Sequence, residues 1–141
     1  MSNASDVSLS LALEDPELDR DELETLTQSL RQQLSGITED IERVPAKRLT
    51  PDGVVEKGEG NEPGLLQMEV NLENIQKLAS WLYQRLAGRS TKARVKYGEG
   101  STAIEFEFEG NSQKELAATM QDVTEFVEKI AQIQQSQQSQ Q

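Results

Sequence analysis

The chain has no cysteine and no histidine among its 141 residues. The first absence excludes disulfides, thiolate nucleophiles and thiolate metal sites. The second removes the commonest general base and the imidazole ligand of zinc centres. Aromatics are scarce as well, at one Trp, two Tyr and three Phe, so a core must come from Leu, Val and Ile. Long hydrophobic runs are missing: no window approaches the ~18 apolar residues that a spanning helix needs. The opening MSNASDVSLS carries no basic region and no apolar run, so it does not read as a secretory signal. A cysteine-free chain fits a reducing compartment, and a cytoplasmic location is the expectation.

Basic residues are the remaining shortage. Lys and Arg number 14 against 25 Asp and Glu, for a net charge of -11. Such a balance reads against nucleic acid, whose binding rests on neutralising phosphates. It also reads against an anionic lipid surface. Neither a nucleic-acid partner nor a membrane span is expected, and the acidity itself reads as solubility.

The periodicities that are present describe one α+β domain. Residues 1–6 read as a flexible N-terminus. Val7, Leu9, Leu11 and Leu13 alternate with small residues, as in a half-buried strand. Asp15-Pro16 breaks it. Asp19 and Glu22 have the spacing of a capping box, and Leu23, Leu26, Leu30 and Leu34 share one helical face. Gly36 reads as a left-handed cap. A short strand, Glu39 to Val44, follows, and Pro45 closes it or marks an edge.

Residues 46–62 carry prolines, glycines and charges without a period and read as a long loop. Pro63 suits a first helical turn. The segment LLQMEV fits either a helical start or an extended piece. From Asn71, the stripe Leu72, Ile75, Leu78, Ala79, Leu82 and Leu86 marks a helix, and Gly88 ends it.

A hairpin comes next. Ala93, Val95 and Tyr97 share one face and Lys92, Arg94 and Lys96 the other; Ile104, Phe106 and Phe108 alternate with Glu105, Glu107 and Glu109. Pairing Val95 with Ile104 satisfies both faces and sets Arg94 against Glu105 and Lys92 against Glu107. Gly98 and Gly100 supply the turn. Ser112 and Glu115 form a capping box for a last helix through Leu116, Met120, Val123, Val127 and Ile130, widened by Phe126 and Ile133. Residues 134–141 are rich in Gln and Ser and read as a disordered tail or a frayed helix.

The order is thus β-α-β-α-β-β-α over residues 7–133. It implies a two-layer domain with a small mixed sheet of about four strands, helices packed on it and a parallel opening β-α-β unit.

Chemistry-bearing patterns are weak. Gly58-Glu59-Gly60-Asn61-Glu62-Pro63-Gly64 lacks the cation and preceding strand of a phosphate cradle. The acidic run from Glu14 to Glu24 lacks calcium-loop spacing and suits a helix N-terminus. Glu105, Glu107 and Glu109 face basic partners and read as a solvated sheet face. No catalytic residue, metal ligand or cofactor site emerges. Trp81, Tyr83, Arg85 and Arg89, near a helix end, have the composition of a protein-binding surface. The alternative is a small carboxylate- or metal-dependent enzyme.

The chain resembles the effector-associated constant component family. The resemblance rests on EDPELDRDELETLTQSLRQQL, the following IERVP, the Lys57-Gly58 segment before a Pro, ASWLYQRL, STKARVKY, and IEFEFEG with a final helix, spanning roughly residues 7–131. It implies a non-catalytic adaptor or signalling component of a bacterial conflict system, of a kind common in cyanobacteria. The implied partner is an effector module such as a peptidase or NTPase. Similar proteins carry a more apolar segment before the Trp. Here LLQMEVNLENIQKLA holds Glu69, Glu73 and Lys77, so a role of that segment in assembly or membrane contact is not carried over by the resemblance.

Overall fold

The computed structural model describes residues 6–49, 51–53 and 55–139. Its elements are β1 (Asp6–Glu14), α1 (Arg20–Leu34), β2 (Asp40–Leu49), β3 (Val55–Asn71), α2 (Ile75–Leu86), β4 (Lys92–Tyr97), β5 (Ile104–Glu109) and α3 (Leu116–Ser139). Among the described residues the strands form one five-stranded sheet, in the order β2-β3-β1-β4-β5. The class is α+β. Every neighbouring pair is antiparallel, which corrects the mixed sheet of about four strands.

β1 and β2 do run the same way, but β3 lies between them. Likewise β3 and β4 are joined through α2 and straddle β1. Two split β-α-β units therefore interleave around β1. Alternation explains the layering. Val7, Leu9, Leu11 and Leu13 of β1, Leu66, Met68 and Val70 of β3, and Ala93 and Val95 of β4 are buried with the helices in one core. Their neighbours Ser8, Gln67, Glu69, Glu105 and Glu107 are exposed on the opposite face. LLQMEV is thus extended.

The loop expected over residues 46–62 is instead the arm of a hairpin. β2 continues to Leu49 and β3 starts at Val55, with Lys47 opposite Lys57 and Leu49 opposite Val55. Lys47, Gly60 and Asn61 are exposed. Residues 46–62 scatter prolines, glycines and charges without alternating apolar positions, and so the arm carries no periodic signal. Pro45 sits at a register shift within β2, on the sheet's edge, and Pro63 lies in β3 rather than in a helix. Pro45 is tolerated because the edge strand β2 has amides with no ladder partner.

The helix termini divide. The Asp19 capping box forms: the Glu22 amide donates to Asp19 Oδ1 at 2.7 Å, and the Asp19 amide to Glu22 Oε1 at 3.2 Å. Gly36 does not take the left-handed form. The Leu34 carbonyl accepts from the amides of Ile37 and Thr38 and from the Thr38 hydroxyl, so the helix end is satisfied without it. Gly88 does take positive φ. The capping box expected at Ser112 is absent. Its hydroxyl accepts from the Lys114 amide, and the first helical bond runs from Thr119 to the Glu115 carbonyl. The tail, expected to be disordered or a frayed helix, continues α3 as far as Ser139. At the other end, Asp6 already belongs to β1, and the rest of the segment expected to be flexible lies outside the described residues.

The hairpin register is shifted by two residues from the expected one. Val95 faces Phe106, Ala93 faces Phe108 and Tyr97 faces Ile104. The connection is longer than a tight turn, because Gly100–Thr102 form a 3-10 turn. A two-residue shift keeps every side chain on its face.

α1 is fastened to β3 by a buried hydrogen bond. The Gly64 amide donates to Thr27 Oγ1 at 2.8 Å, and that hydroxyl donates to the Leu23 carbonyl at 2.7 Å. Gly64 has φ of +87°, and a Cβ there would stand 2.5 Å from the Leu13 carbonyl oxygen, so only glycine fits. Arg43 of β2 lies beneath α1, where its guanidinium grips Glu24 and donates to Gln28 Oε1 at 3.0 Å. No helix among the described residues is long and apolar enough to cross a membrane.

Candidate functional site

Successive residues of α2 are separated by about 100°, so Trp81 and Arg85 share a flank while Tyr83 points elsewhere. The expected four-residue surface is accordingly split. Trp81 is half-buried against the core. Tyr83 turns toward β5 and the segment leading into α3. Its ring lies 5.9 Å from Phe108, and its hydroxyl donates to the Lys114 carbonyl at 2.8 Å. Both side chains serve largely as packing, the commoner use of a large amphipathic ring.

Arg85 and Arg89 do come together. Arg85 reaches over α1 and donates from Nε to Gln33 Oε1 at 3.1 Å. Arg89, beyond the end of α2, is exposed. Between them and α1 runs an open groove of about 360 Å³, with Leu18 and Leu26 in its floor and Glu22 opposite the arginines.

The groove's walls come from distant parts of the chain, and Asp15 joins them. Asp15 Oδ2 accepts from the Thr91 hydroxyl at 2.7 Å, and Oδ1 accepts from Ser90 at 2.5 Å and from the Glu17 amide at 2.9 Å. Thr91 is fully buried. Burial alone would raise the Asp15 pKa, but the donors Ser90, Thr91 and the Glu17 amide, with the charge of Arg89, hold it below the ordinary carboxylate value. The turn that carries Arg89 is thereby fixed against the turn that carries Leu18.

Sequence reasoning missed Leu18, Leu26 and Asp15 as parts of this surface. A signal for Leu18 existed. It precedes the N-cap, and Leu23 stands at the fourth helical position, the two ends of a hydrophobic staple. Both pack against the margin of the core.

The other basic residues belong to a different surface. Lys92, Arg94 and Lys96 lie on the open face of the sheet opposite Glu109, Glu107 and Glu105. Arg94 Nε is 3.1 Å from Glu107 and 3.7 Å from Glu105, and Lys92 Nζ is 3.6 Å from Glu107. The diagonal contacts preserve the expected ion pairs despite the shifted register. The hydrogen bond from Arg94, helped by Lys92 and opposed by burial, holds the Glu107 carboxyl below its usual pKa. These glutamates are ladder partners.

The glycine-rich run 58–64 lies within β3 and does not abut a helix N-terminus. Among the described residues, no three acidic side chains are grouped to hold a metal ion. The chain matches no protein-family model, no curated protein and no solved structure.

Proposed function

We propose that the protein is a non-catalytic interaction module, acting as an adaptor that couples a peptidase- or NTPase-type effector within a bacterial conflict system. The family resemblance supplies that setting. The observation that carries the interaction reading is the α1–α2 groove. It combines an apolar floor with two arginines in a chain whose net charge is -11. An acidic segment with apolar anchors complements it: Leu18 and Leu26 take the anchors, and Arg85 and Arg89 take carboxylates. The Asp15 junction holds the two walls before any partner arrives, which lowers the ordering cost of binding.

The test is capture of peptidase- or NTPase-bearing proteins from the native host, read by cross-linking and mass spectrometry. A double variant, Arg85→Glu with Arg89→Glu, is expected to abolish capture while circular dichroism stays native. Capture unaffected by the double variant would remove the groove from the reading. Failure to capture any such protein with the native chain would remove the adaptor role.

A further inference from the structure

β5 ends the sheet, and among the described residues nothing pairs with its outer edge. Which amides face outward follows from the ladder. The Gly110 amide donates to the Thr91 carbonyl at 2.9 Å, in the register that sets Lys92 opposite Glu109. Antiparallel hydrogen bonding alternates by residue, so Ile104, Phe106 and Phe108 bond to β4. The backbone groups of Glu105 and Glu107 and the Glu109 amide then point away from the sheet, while the Glu109 carbonyl accepts from the Ser112 amide at 3.1 Å. These amides and carbonyls do not face bare solvent across a flat edge. A groove of about 620 Å³ runs between Ile104–Glu107 and α3, bordered on the helix by Asp122, Glu125, Phe126 and Lys129. A second, of about 390 Å³, continues past Phe108 and Glu109, and Lys114 lines both. An edge strand beside a helix, with a trench between them, is the geometry that accepts an added strand.

We propose that this trench binds an extended segment of a protein partner as a sixth strand, and that the segment alternates basic with apolar residues. The chemistry follows from what β5 offers. On the open face, the added strand's side chains would stand beside Glu105, Glu107 and Glu109; on the helix side, beside Phe106, Phe108 and Phe126. β4 already meets the first two of these requirements from β5's inner side, with Lys92, Arg94 and Lys96 alternating with Ala93, Val95 and Tyr97. The outer edge asks for the same pattern. A second copy meeting through its own β5 does not supply it, because two β5 edges meeting antiparallel would set glutamates against glutamates. This binding is independent of the arginine groove.

The probe is a synthetic peptide copying Thr91–Tyr97, with a control in which Glu replaces its three basic residues. Amide exchange in the full chain, read by NMR, is expected to slow by about tenfold at Glu105, Glu107 and Glu109 with the first peptide and to stay unchanged with the control. Glu107→Pro removes an outward amide without breaking the β4 ladder, so the chain should stay folded and lose the protection. If that variant unfolds, Glu105→Lys with Glu109→Lys serves instead and should reverse the preference between the two peptides. Arg85→Glu with Arg89→Glu should leave peptide binding unaltered. The proposal is overturned by unchanged exchange at millimolar peptide, by equal response to both peptides, or by a dimer in sedimentation that itself protects these amides.

Discussion

Thr27→Val tests the physical account of how α1 is seated. Threonine and valine have nearly the same shape, so the substitution keeps the volume of a fully buried side chain. What it removes is the acceptor for the Gly64 amide, 2.8 Å away. Gly64 is buried and its conformation is set by close contact with the Leu13 carbonyl, so the amide has no second position in which to find water. A buried donor left without a partner costs about 1–3 kcal/mol. The Leu23 carbonyl loses one of its donors but remains in the α1 ladder. A net loss of about 2 kcal/mol is expected, near 6 °C in Tm for a chain of this length. Thr27→Ser is the informative partner. It keeps the hydroxyl and loses a methyl, for about 1 kcal/mol. Burial of apolar surface alone ranks valine above serine, whereas the hydrogen bond ranks serine above valine. Urea denaturation of both variants decides between them, and amide exchange at Gly64 should accelerate only in Thr27→Val. A valine variant as stable as the native chain would refute the assignment.

Two further outcomes follow from the same geometry. Gly110→Ala should be severely destabilising, by about 3 kcal/mol or more, because a Cβ there would lie 1.9 Å from the Leu86 carbonyl oxygen and 2.6 Å from that of Arg89. Gly36→Ala meets nothing within 4 Å and should be neutral or stabilising by about 0.5 kcal/mol in the same thermal assay. Acid should weaken the fold through Asp15, Glu24 and Glu107. Their folded pKa values lie below the ordinary 3.8, 4.5 and 4.5. The stability they contribute is therefore complete above the ordinary values and is lost as pH falls through the folded ones. Asp15→Asn should be less stable than the native chain at pH 7, and the gap should narrow in urea titrations at pH 3. An equal gap at both pH values would remove Asp15 as a charged junction.

Much of the fold was legible because burial leaves a period. β1 and β5 announced themselves by alternation, α2 and α3 by their apolar stripes, and the start of α1 by Asp19 and Glu22. Where an element carries no such period, the sequence was silent. The β2–β3 arm read as a loop because residues 46–62 show no alternation of apolar positions. The turn at Ser112 went astray for a tertiary reason, since the Lys114 carbonyl is held by Tyr83, far away in sequence.

By itself, then, the sequence determined which face of each buried element turns inward. It did so because the positions of apolar side chains at period 2 or 3.6 are local facts. Composition likewise limited the chemistry available to the chain. Strand order was decided only by the tertiary structure: β3 entering between β1 and β2 depends on long-range pairing that no local pattern encodes. The hairpin register belongs with it, because a shift of two residues leaves every face unchanged. So does the surface first sought around Trp81, Tyr83, Arg85 and Arg89. The fold spends the two rings on packing and pairs the two arginines with leucines from α1 and the turn before it, because helices crossing one sheet bring together what the chain keeps apart.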